Sequence, residues 1–381
     1  MNEPSFNRPY GPITVAELTA GLVWPRLLRG FTMSLRPSRV FVGTAAVAIM
    51  WGLAALLAML TEKKAEGSTA TTGVAERVLA DIGDGVGGAA RQLVRLDFDA
   101  AWRSLDLALT AFSVQSARWW EVLLACVVML PVWLVAGGAI SRSAAVEIAA
   151  AKEVSVFRTL VFALLRLGTM LRAVLLPLGL VAVVSLVIKA AGWVLFSWAG
   201  VSVIGAALYP LMLLGGLVVT LVWVGFFAGS WLLVPGIAVE NTDATDAVQR
   251  AYSYVFGRPV RTIAYAAVVV AVGAVGLAVV NWLVGASVGV AKSCASAWLD
   301  AERVGVVVSP GTRDGLSAWI MEAWGWVLGC IAAGWAVSYV FTASTLLYLL
   351  LRRVHDEQDP SEVWMPGGSN SGGGAAGGSG G

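Results

Sequence analysis

Three carboxylates stand close together beside a long uncharged run: Glu240, Asp243 and Asp246. Such a set could hold a cation. Its spacing suits helix capping better, with Asp243 opening a helix and Asp246 in its first turn, where the dipole favours negative charge. Other chemistry has little to work with. There is no phosphate-cradling glycine loop followed by lysine and no hydrolase nucleophile motif, and the single histidine, His355, is near no serine or cysteine. Cys126, Cys294 and Cys330 are too far apart for a zinc site or a disulfide framework. Lys189 is the only ionisable residue well inside an apolar run, and it is placed to snorkel to the surface near Trp193. Glu121 and Glu322, beside tryptophans, read as interfacial. The expectation is a non-enzymatic chain with no catalytic residue, cofactor or metal.

The residues that stand out instead are basic and proline-marked. Arg258-Pro259-Val260-Arg261 precedes the apolar stretch 262–284, and Arg36-Pro37-Ser38-Arg39 precedes 40–60. Before the first of these, Asn241, Thr242 or Asp243 can start a helix. Ala247, Val248, Ala251, Tyr252, Val255 and Phe256 recur at helical spacing, and Asp246 can pair with Arg250 one turn on. Gly257 suits its C-terminal cap, and Pro259 forbids continuation. The pattern predicts an amphipathic helix over 243–256 lying in a membrane interface. Segments 153–168 and 22–35, built around Arg158 and Arg166 and around Arg26 and Arg29, look like variants of it.

Such elbows need membrane spans to join. The 381-residue chain is 58% hydrophobic and 13% charged, and its mean hydropathy is +0.78. Soluble domains carry about 25% charged residues, so a water-soluble fold is excluded. A net charge of +2 gives no reason to expect nucleic acid as a partner. The partner expected is the lipid bilayer, with other membrane proteins as further candidates. Six runs have the length a helix needs to cross the hydrocarbon core: 40–60, 122–140, 171–195, 205–234, 262–284 and 323–351. Pro235 and Gly236 are read as ending the fourth, and Pro131, Pro177 and Pro210 as bending spans two to four. The first run starts too late and is too long for a cleaved signal peptide, and reads as an uncleaved anchor.

Basic residues fix an orientation. Arg8, Arg26, Arg29, Arg36 and Arg39 precede span one, and Arg142, Lys152, Arg158, Arg166 and Arg172 lie between spans two and three. Arg250, Arg258 and Arg261 lie between spans four and five, and Arg352 and Arg353 follow span six. With six spans all of these share one face, which places both termini in the cytoplasm and the bundle in the cell membrane. Trp119, Trp120, Trp193, Trp198, Trp282, Trp319, Trp324 and Trp326 fall at the opposite ends of the spans, as an interfacial belt.

The expected organisation is therefore an all-α polytopic transmembrane helical bundle. Residues 1–39 form a cytoplasmic segment with an amphipathic helix, 40–60 form span one, and 61–118 form an extracytoplasmic helical segment. Residues 119–351 hold spans two to six with elbow helices near 153–168 and 243–256. Residues 352–381 form a cytoplasmic tail, Gly/Ser-rich and disordered from 367. Elbow, outward span and inward span would recur three times. The small-xxx-small pairs Gly225/Gly229 and Gly325/Gly329 are expected to pack helices within the bundle.

Two strings resemble a known pattern. The run from Glu240 to Pro259, ENTDATDAVQRAYSYVFGRP, is similar to a signature of uncharacterised bacterial six-span membrane proteins, and Gly137-Gly138-Ala139-Ile140-Ser141-Arg142 resembles the close of their second span. The resemblance covers about 120–270 and the last span, and does not extend to the outer segments or the tail. A looser similarity links it to the membrane domain attached to some glycerophosphodiester phosphodiesterases. That catalytic domain is absent, so the resemblance implies membrane location and topology and no activity. The function expected is a membrane scaffold or accessory component of the cell envelope. The alternative is a transporter or channel subunit for a small solute or lipid, motivated by the repeats and prolines.

Overall fold

The structure, a computed structural model, describes residues 27–62, 97, 100, 103, 119–198, 200, 202–299, 316–356 and 364. Most of the expected outer segment 61–118, the amphipathic pattern before residue 27 and the tail from 367 lie outside them. Among the described residues there are eight α-helices and no strand: α1 Arg29–Ser34, α2 Pro37–Glu62, α3 Trp119–Ala150, α4 Val156–Phe196, α5 Ser202–Glu240, α6 Ala244–Gly257, α7 Pro259–Ser296 and α8 Leu316–Asp356. Six of them, α2, α3, α4, α5, α7 and α8, are long and apolar enough to cross a membrane. The protein is an all-α polytopic helical bundle. In lipid an α-helix satisfies its backbone groups within a single segment, so each apolar run of span length becomes one.

The helices extend past the spans read from hydropathy. α4 has 41 residues and α5 has 39, about 60 Å each at 1.5 Å per residue, against a hydrocarbon core of about 30 Å. The segment 153–168 is consequently not an elbow apart from its span. Its helical part is the opening of α4, which runs unbroken from Val156. Neither a proline nor a Gly-Pro pair stands between 156 and 171 to stop the backbone ladder, and the isolated Gly168 does not suffice.

Pro235 and Gly236 likewise do not end the fourth span. α5 carries Pro235 within it and continues to Glu240. A membrane helix tolerates proline where neighbours re-satisfy the freed backbone, and Leu232 through Val239 are all buried. α5 ends instead at Asn241, whose φ of 58° is the left-handed conformation that asparagine tolerates at a helix end. The two proline corners match expectation in one respect: Pro37 and Pro259 are each the first residue of a helix, where a missing N–H costs nothing.

The chain divides into two compact units. One comprises residues 1–36, 138–276 and 339–381, the other 37–137 and 277–338. In the first, α4, α5 and α6 pack together. Gly138 of α3 faces Met170 and Ala163 of α4, where a Cβ would come within 2.6 Å of the Met170 methyl. The second unit has a closer crossing. A Cβ on Gly43 of α2 would meet the carbonyl oxygen of Gly334 of α8 at 2.2 Å, and one on Gly334 would meet the Thr44 backbone nitrogen at 2.4 Å. Two glycines let two backbones touch there. Arg39 lies on the same face of α2 as Val42, Gly43 and Ala46, and is 1% exposed. It is therefore not a corner residue at the surface.

Candidate functional site

Polar groups converge where α5, α6 and the last turns of α8 meet, all in the first unit. The left-handed turn at Asn241 folds the chain back, so that α6 runs against α5. Asp243 occupies the N-cap position with no side-chain capping bond, and Asp246 lies in the first turn. Ala244, Ala247, Ala251, Tyr254 and Val255 form the buried stripe of α6. That stripe seats on the glycine pair of α5. Gly229 faces Ala251 at ordinary contact distance, and a Cβ on Gly225 would fall 2.2 Å from the Tyr252 ring. The Tyr252 hydroxyl donates to the Val222 carbonyl at 2.8 Å. Gly225 and Gly229 thus pack within the bundle, whereas among the described residues nothing lies within 4 Å of a Cβ on Gly325 or Gly329.

This docking gives an expected result. Gly225→Ala pushes the tyrosine ring out of its groove and breaks its hydrogen bond, a loss of about 1–3 kcal/mol. Tyr252→Phe loses the bond alone, about 1 kcal/mol. Thermal unfolding in detergent should order them wild type, Tyr252→Phe, Gly225→Ala. An unaffected Gly225→Ala would refute the seating.

Glu240 is the hub of the polar corner. Its Oε2 lies 2.6 Å from the Arg250 guanidinium, so Arg250 turns to the end of α5 and not to Asp246, its expected partner. Glu240 is the better anion because it is 9% exposed and Asp246 is on the surface. Its Oε1 accepts from the Tyr348 hydroxyl at 2.7 Å and lies 3.6 Å from Arg352, which is only 3% exposed. Tyr254 lies between Tyr348 and His355, its ring tilted against each with centroids 5.7 and 5.1 Å away, and its hydroxyl donates to Asp356 at 2.5 Å. Thr262 of α7 closes the corner by donating to the Tyr254 carbonyl at 2.9 Å. Of the three acids that opened the sequence reading, Glu240 is engaged here while Asp243 and Asp246 point elsewhere, both exposed. Among the described residues no three His, Cys, Asp or Glu side chains converge.

Beside this hub a second arginine, Arg142 of α3, is 5% exposed. It donates to the Ala238 carbonyl at 2.9 Å and to the Trp364 carbonyl at 2.6 Å, and its guanidinium lies against the rings of Phe162 and Trp364. The Trp364 N–H donates to the Val239 carbonyl at 3.1 Å. A residue well beyond α8 is thereby tied to the end of α5. Arg36 bridges Glu147 at 2.8 Å and also Glu153. Arg258, Pro259 and Arg261 are exposed. The two Arg-Pro-x-Arg corners therefore differ: the first has an ion-paired and a buried arginine, the second two surface ones.

Protonation follows from this packing. Burial works against charge on Arg250, but Glu240, Tyr348 and Tyr254 together outweigh it and raise the guanidinium pKa. Burial and the bond to Asp356 push the Tyr254 phenol well up. Burial, then Arg258, lower His355, with Arg261 adding to this and Asp356 opposing it. A lowered folded value means the folded chain binds fewer protons than the unfolded one, whose histidine titrates near about 6.5. The contribution of neutral His355 is present above that pH and is lost as pH falls through and below it. The unfolding temperature should thus fall between pH 7 and 5 by more in wild type than in His355→Gln. Parallel curves would remove His355 from the account.

Tyr348 and Trp364 were not singled out from sequence, and Arg142 and Arg352 were read only as basic residues that set the orientation. Arg142 alone had a local signal, as the one charge directly behind Gly137-Gly138-Ala139-Ile140-Ser141. Compared with family models, curated proteins and solved structures, the chain matches none.

Proposed function

We propose that this membrane protein is a non-enzymatic scaffold or accessory component of a bacterial cell envelope. The observation that supports this is the internal use of the polar corner. Glu240 is already bound by Arg250, Arg352 and Tyr348, and Arg142 by two carbonyls. Groups so engaged hold elements together and are not left open for a reacting molecule. Outside this corner the helices present broad apolar faces, such as Leu175, Leu180, Leu186, Leu211 and Leu217, suited to lipid or to other membrane helices. The resemblance of 240–259 to six-span bacterial proteins supports the membrane location and leaves the role to the argument above.

Mild-detergent purification of the full chain, followed by protein identification, tests the reading. Stoichiometric envelope proteins that co-purify support it. Solute flux through reconstituted vesicles, with no protein retained, would favour the transport-subunit reading instead.

The orientation belongs to the same proposal. Both termini and the Arg258–Arg261 corner are placed in the cytoplasm, supported by the basic residues of that corner. Cys294, exposed near the far end of α7, is then reached from outside by an impermeant thiol reagent in intact cells. A cysteine at Ser253, exposed on α6, is not, in a background lacking Cys126 and Cys330. The opposite labelling pattern would invert the topology.

A further inference from the structure

A cleft of ≈ 510 Å³ opens between α4 and the start of α6, lined by Thr169, Arg172, Leu175 and Leu176 from α4 and by Asp243, Ala244 and Thr245. Its place in the bilayer follows from charge. Between Arg172 and Lys189 α4 has no charged residue, and those 17 steps cover about 25 Å, close to the hydrocarbon thickness. Arg172 thus marks the boundary between headgroups and acyl chains, with Leu175 and Leu176 one turn deeper. Both leucines are exposed, as are Arg172 and Asp243.

The cleft brings together two charges that remain unmatched. Arg172 donates its Nε–H to the carbonyl of Gly168 on its own helix at 3.1 Å, and among the described residues it forms no ion pair. Asp243 makes no capping bond and no ion pair among them either. Cation and anion line one cleft without bridging each other. Two threonine hydroxyls accompany them, and an apolar floor leads toward the membrane interior.

We infer that this cleft binds a zwitterionic aminophospholipid of the phosphatidylethanolamine type. Arg172 and the threonines meet its phosphate, Asp243 meets its ammonium group, and an acyl chain lies along Leu175 and Leu176. An anionic phosphatidylglycerol headgroup would satisfy Arg172 but would present no cation to Asp243, so charge complementarity selects the amine.

Native mass spectrometry of the full chain in mild detergent tests this, with equimolar phosphatidylethanolamine and phosphatidylglycerol of matched acyl chains. Wild type should retain the ethanolamine lipid about fivefold over the glycerol lipid, the worth of one favourable charge contact near a headgroup. Asp243→Asn should bring that ratio to about one while still binding lipid. Arg172→Gln should lower retention of both about fivefold. Asp246→Asn, one turn away and not lining the cleft, should leave the ratio unchanged. Soluble glycerophosphoethanolamine should not displace the lipid at equal concentration.

Equal retention of both lipids by wild type, or preference for phosphatidylglycerol, overturns the assignment. So does a ratio that Asp243→Asn leaves unmoved, or equal competition by the soluble headgroup. Should a variant fail to give the wild-type unfolding temperature, the wild-type ratio and the competition decide the matter alone.

Discussion

Glu240→Gln is expected to be among the most destabilising single changes at the polar corner. The amide keeps the shape and still accepts from Tyr348, but it removes the anion that Arg250 and Arg352 share. Arg250 is 38% exposed, so water recovers most of what it loses, and its pair with Glu240 contributes less than about 1 kcal/mol. Arg352 is different. At 3% exposure it cannot reach water, and a buried charge stripped of its partner costs about 3–5 kcal/mol. The 3.6 Å separation and further interactions of Arg352 place the expected loss at the lower end, about 3 kcal/mol.

Thermal unfolding in detergent, followed by tryptophan fluorescence, should show Glu240→Gln far below Arg250→Met. The double change Glu240→Gln with Arg352→Met should recover much of the loss, because no stranded charge is left. If Glu240→Gln and Arg250→Met unfold together, Arg352 does not depend on Glu240 and the hub is misassigned.

The second large effect is expected in the other unit. Gly43→Ala adds a methyl group where the Gly334 carbonyl oxygen stands 2.2 Å away. Overpacking of side chains costs about 1–3 kcal/mol because they can rotate aside. Here backbone opposes backbone, and the crossing opens only if whole helices part. Gly334→Ala meets the Thr44 backbone at 2.4 Å and should fail in the same way. Each change should cost about 3 kcal/mol or more and lower the yield of protease-resistant, membrane-inserted protein. Gly325→Ala serves as control, since its Cβ would meet none of the described residues within 4 Å. Equal yields for all three variants would show that α2 and α8 do not cross at these glycines.

The contrast between these glycines shows where sequence reasoning stops. Gly225/Gly229 and Gly325/Gly329 carry the same spacing, yet among the described residues only the first pair receives a neighbour. The crossing at Gly43 and Gly334 has no local spacing signal, because its partners are nearly three hundred residues apart. A membrane helix is apolar on all sides, so periodicity does not mark the packed face. Depth in lipid constrains hydropathy, whereas packing constrains only size. For the same reason Arg39 read as a surface anchor: its motif was visible, but the face of α2 it shares with Val42 and Gly43 was not.

The amino-acid sequence alone determined six long apolar helices and the amphipathic α6, for reasons local to each segment. A span needs its own run of about 20 apolar residues, and α6 has its own stripe and Gly-Arg-Pro stop. That the middle elbow merges into α4 was also a local matter, since no breaker stands between 156 and 171, and the structure corrected a reading that had divided one continuous helix. Tertiary structure alone decided how the helices pack. It also decided the partners of the charged residues. Arg250 had Asp246 one turn away, but reaches Glu240 because the turn at Asn241 lays α6 against α5. There Tyr348 and Arg352, about one hundred residues further along, make the less exposed carboxylate the stronger anion site. Burial creates that preference, and burial is a property of the assembled helices rather than of any stretch of sequence.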